Sequence, residues 1–100
     1  MKGKLYRITV EEMDGQTRQP LAGASMDFLA QCHDDIAGIV ARVRNRGDLP
    51  ADESAAMAVG LKLLGEVALQ HRHEPLFAEL GPQLGAFIQK LKRGGPEQAQ

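Results

Sequence analysis

Hydrophobic positions change rhythm several times along this chain, and each rhythm predicts an element. From Leu5 to Glu11 they alternate, Tyr6, Ile8 and Val10 against Arg7, Thr9 and Glu11. That is the period of a half-buried strand. A second alternation from Ala24 to Ala30 sets Met26 and Phe28 against Ser25 and Asp27. The residues between, 13–23, are polar and carry turn chemistry. Asp14-Gly15 offers a tight turn, whereas Pro20, which cannot donate within a ladder, favours a longer loop. The two runs are expected to pair as an antiparallel hairpin.

The period then lengthens. Ile36, Ile39, Val40 and Val43 recur at i, i+3, i+4 and i+7, the stripe of an amphipathic helix. Asp34 and Asp35 suit its positive N-terminal end, Arg42, Arg44 and Arg46 its C-terminal end, and Gly47 its stop. A central helix is expected from Ala51 to His71. Its stretch Ala55 to Leu69 has only two charges, Lys62 and Glu66, four apart. A helix so apolar needs cover on several sides and is expected to be buried. Pro75 can open a short helix to Leu80. Gly81-Pro82 then starts a last helix with the stripe Leu84, Phe87, Ile88 and Leu91. Residues 94–100 offer nothing to bury and are expected as a tail beyond a single domain over 1–93.

Strand, strand and then helices give an α+β fold: an N-terminal antiparallel β-hairpin packed on three to four helices in ββααα order. The face Tyr6/Ile8/Val10/Met26/Phe28 is expected to lie on the helices, because a lone two-stranded sheet is marginal in water. The hairpin's unpaired outer edges invite a second copy, so a homodimer through the sheet or the central helix is expected.

Composition narrows the function classes. A formal net charge of −1 provides no field to draw in nucleic acid or an anionic membrane. One cysteine, Cys32, cannot form an intramolecular disulfide and fits a reducing cytoplasm. The N-terminus lacks the apolar run of a signal peptide, and the apolar central stretch is shorter than a membrane span.

Chemistry-bearing residues cluster weakly. His71, His73 and Glu74, joined by His33 and Cys32, have the donor types of a zinc site. Positions 71 and 73 nevertheless point apart on a helix, and a C-terminal cap explains them without a metal. Cys32 with His33 or His73 could form a thiol–base pair, although a lone Cys is more often a small buried filler. The run His33-Asp34-Asp35 could hold Mg²⁺, and two carboxylates at a helix start more often serve its dipole. The small residues Ala56, Gly60 and Gly65 matter more for packing. Glycine inside a helix costs about 1 kcal/mol relative to Ala, so a closely approaching backbone, from this chain or a partner, is expected there.

At Tyr6-Arg7-Ile8-Thr9-Val10, His33-Asp34-Asp35 and the run GLKLLGEV from Gly60 to Val67, the chain resembles a small bacterial family known only as a domain of unknown function. Arg72-His73, Pro75-Leu76-Phe77 and Leu84-Gly85-Ala86-Phe87 extend the resemblance nearly to Arg93. It implies a compact α+β domain with no assigned activity or cofactor, and carries over no functional site. Where that family often has a capping hydroxyl, this chain has Cys32, which leaves Asp34 as the alternative cap.

The functional expectation is therefore a cytoplasmic interaction or regulatory module, a homo-oligomer or the binder of an unidentified protein, with no nucleic acid, membrane or cofactor involved. A metal-binding protein or small enzyme using the Cys32/His71/His73 region is the alternative. Convergence of at least three of Cys32, His33, His71, His73 and Glu74 in one pocket favours chemistry. Dispersal beside an apolar patch favours contact.

Overall fold

Strands β1 (Lys4–Met13) and β2 (Pro20–Cys32) pair antiparallel in the computed structural model, which describes residues 3–93. Ile8 lies opposite Phe28 and Val10 opposite Met26, so the two apolar alternations share one face, as expected. The connection is the longer loop. Asp14 organises it, its Oδ1 accepting the amides of Gln16 and Thr17 at 2.8 and 2.9 Å. Pro20 opens β2, where its missing N–H costs the ladder nothing further in.

Helices α1 (Ile36–Arg46), α2 (Ala51–Gln70), α3 (Pro75–Ala78) and α4 (Leu80–Lys92) follow. The order is the ββααα expected, with a separate four-residue turn of helix between α2 and α4. Helix α1 packs along α2 and buries Ile36 and Val43. Gly47, at φ 79°, closes α1 in the left-handed conformation. Arg46 leaves that end and donates to the Leu91 carbonyl at 3.0 Å, tying α1 to the C-terminal end of α4.

Three expectations need correction. Neither Asp34 nor Asp35 caps α1: the N-cap Asp35 makes no side-chain capping bond, and the Asp34 carboxylate pairs with Lys62. The Ile36 amide instead donates to the Tyr6 hydroxyl at 3.1 Å, and that hydroxyl donates to the Asp34 carbonyl at 3.3 Å. The central helix is less covered than its composition demands. Ser54, Ala58 and Ala68 are its buried residues, while Leu64 and Val67 stay 42% and 48% exposed. The hairpin face, too, is covered only at one end. Tyr6 and Ile8 are half-buried, but Val10, Met26 and Phe28 are 53%, 57% and 41% exposed. Length explains the overhang: thirteen strand residues span about 43 Å at ~3.3 Å each, and twenty helical residues about 30 Å at ~1.5 Å each. The Cα radius of gyration, 15.8 Å, exceeds the ~13 Å of a compact hundred-residue domain. The tail expected over 94–100 lies outside the described residues.

Candidate functional site

Two recesses flank α2. The first is a cleft of about 560 Å³ between α2 and the α3–α4 pair, mostly apolar, with charged groups at its edge. The chain leaves β2 across that edge. His33 donates its backbone amide to Glu66 Oε1 at 3.4 Å, and its ring Nδ1 lies 2.8 Å from Glu66 Oε2. A carboxylate only accepts, so this ring nitrogen carries the proton. Beside it Lys62 forms an ion pair with Asp34. The bond from Lys62 holds the Asp34 carboxyl below the usual carboxylate range, and the charges of Lys62, Lys92 and His33 act in the same direction against desolvation. Lys62 and Glu66, the two charges of an otherwise apolar stretch, thus clamp the β2–α1 connection onto α2. Their i, i+4 spacing signalled a shared face, while their partners, about thirty residues away in sequence, had no local signal.

The second recess is a groove of about 630 Å³ between β2 and α2. Phe28, Leu29 and Ala30 form one wall, Leu63, Leu64 and Val67 another, and Phe77 lies at its α3 end. No residue of β1 lines it. Its two ionisable residues already have partners. Glu66 is held by His33 and Gln70, and His71 Nδ1 lies 2.6 Å from Glu74 Oε2.

The chemistry-bearing residues disperse. Cys32, 1% exposed, is the last residue of β2 and a small core filler. His33 and His73 line the α2–α4 cleft, while His71 lines the β2–α2 groove. Among the described residues, no group of three His, Cys, Asp or Glu side chains is placed to hold a metal ion. Arg44 donates to the Ala51 carbonyl at 3.0 Å, and Arg46 pairs with Asp48 at 2.8 Å, so the basic end of α1 is engaged within the fold. Gly65 lines the α2–α4 cleft, and a Cβ placed on Gly60 or Gly65 would meet nothing within 4 Å. No backbone among the described residues makes the close approach that their smallness would permit. No helix among the described residues is long and apolar enough to cross a membrane.

Comparisons with other proteins give a family of unknown function. A comparison with curated proteins finds no match. The crystal structure of a protein of unknown function from Pectobacterium atrosepticum SCRI1043 is similar, at 37% identity and a TM-score of 0.74, over 90% of this chain and 97% of that one. Residues 4–93 match the family described as a domain of unknown function with solved structure, DUF3861, and the chain belongs to it.

Proposed function

We propose that this protein acts by contact, as an interaction or regulatory module of the cytoplasm, through the apolar face formed by the outer hairpin and the β2–α2 groove. The observation that carries the reading is exposure. Val10, Met26, Phe28, Leu64 and Val67 are each more than two-fifths open, and Phe28, Leu64 and Val67 line one groove. Contiguous apolar surface of this kind marks an interaction site on a soluble protein. The dispersal of Cys32, His33, His71 and His73 supports contact over catalysis, and a lone reduced thiol at Cys32 suits the cytoplasm.

Affinity capture from the native cell tests it, with wild type and Val67→Glu as paired baits. The expected result is a stoichiometric companion, either another protein or an untagged copy of this chain, held by wild type and lost by the variant. Equal recovery by both baits, or no companion at all, would reject the face.

A further inference from the structure

The exposed face has a shape as well as a composition. Val10 and Met26, opposite each other across the ladder, are each more than half exposed, and Phe28, next along the same face, lines the groove. Projection and recess therefore adjoin. Two copies related by a two-fold axis can set each projection into the other's recess and close at two, whereas head-to-tail stacking leaves one of each uncovered. We propose that the occupant of the β2–α2 groove is the outer hairpin of a second copy of this chain, exchanged reciprocally. The proposal rests on the contact reading above and names its partner.

The area left open is that of an interface. The chain of 10.8 kDa exposes 7608 Å², against about 5,500 Å² for a compact monomer of that mass. Setting aside the residues outside 3–93 at their full unfolded-chain area, about 1,300 Å², still leaves a surplus of roughly 1,000 Å² over a compact body. A standard interface covers about 800 Å² per partner.

Charge favours a copy of the same chain. Val10, Met26, Phe28, Leu64 and Val67 carry none, so the face does not repel itself. Glu66 and His71 are already hydrogen-bonded within the chain, so a partner need not supply their hydrogen bonds as the groove is covered. The five open residues offer a partner apolar surface alone, and an apolar projection of this chain's own dimensions is always at hand.

Light scattering on the purified full chain at tens of micromolar is the test, together with three variants. Wild type is expected at twice 10.8 kDa. Met26→Glu on the projection and Val67→Glu in the recess should each, alone, weaken the dimer by about a hundredfold or more, because each buries an unpaired carboxylate. Leu5→Glu, on the opposite sheet face, should leave the mass unchanged. A wild-type mass of 10.8 kDa at every concentration overturns the proposal. So does a dimer that survives both groove-face variants, or one that Leu5→Glu alone dissolves. Should a variant lose its circular dichroism, radical labelling of wild type decides: Met26 must become shielded as concentration rises while Leu5 does not, and unchanged Met26 labelling overturns the assignment. A monomer that still captures another protein through Val67 removes the second copy and keeps the contact reading; a monomer that captures nothing removes both.

Discussion

At Tyr6 one hydroxyl joins the first strand to the start of the first helix. It accepts from the Ile36 amide and donates to the Asp34 carbonyl, doing from a distance what an N-cap side chain does locally. Ile36 is buried, so water does not readily replace the oxygen. Tyr6→Phe keeps the ring and deletes the hydroxyl with both of its hydrogen bonds. The expected cost is about 1 kcal/mol, seen as a lower urea midpoint with an unchanged slope; a midpoint equal to wild type would mean that another group caps α1. The alternation around Tyr6 placed its ring on the inward face but could not show its hydroxyl's role. Local capping rules look one to four residues along the chain, and here the cap sits thirty residues upstream of the amide. Lys62 and Glu66 repeat the lesson. Their spacing revealed one face, and only the fold brings His33 and Asp34 to it.

The elements themselves were legible wherever periodicity was strong. The alternations that put Ile8 and Phe28 on one sheet face, the α1 stripe and the Gly47 stop all follow from residues in sequence, because each is a local choice reinforced by its neighbours. The hairpin register, Ile8 against Phe28, came only with the fold. How far the hairpin overhangs the helices was not legible, since alternation gives a strand's faces and not the length of what covers them. What fixes the hairpin's base to α2 is the His33–Glu66 and Asp34–Lys62 clamp, and it carries a pH dependence. Asp34 binds its proton less readily folded than unfolded, so its contribution is complete above the ordinary carboxylate range. It is lost as pH falls through the lowered folded value, below about pH 4. Lys62→Met removes the main cause of that lowering. The variant should be less stable than wild type at pH 7, and urea titrations should show the two curves converging as the pH drops toward ~2. A gap that stays constant across the acid range would show that the pair contributes nothing through ionisation.

For the whole molecule, the unburied apolar surface couples function to stability. The described core rests on small side chains, Cys32, Ala58 and Ala68 with Ile36 and Val43, while Phe28, Leu64 and Val67 remain open. A chain that buries its larger residues only against a copy of itself gains stability by mass action. For a two-state dimer each tenfold rise in concentration adds RT ln 10, about 1.4 kcal/mol per dimer. With the unfolding entropy of about two hundred residues melting together, that moves the melting temperature by roughly 3–5 °C. Calorimetry of wild type across two decades of concentration should show this drift. Val67→Glu should melt lower and at one temperature throughout, because its folded state is a monomer. Had the open face been a site for some other protein, purified wild type would behave as that variant does, with a melting temperature indifferent to concentration. The drift therefore separates a self-completing fold from one that waits for a different partner.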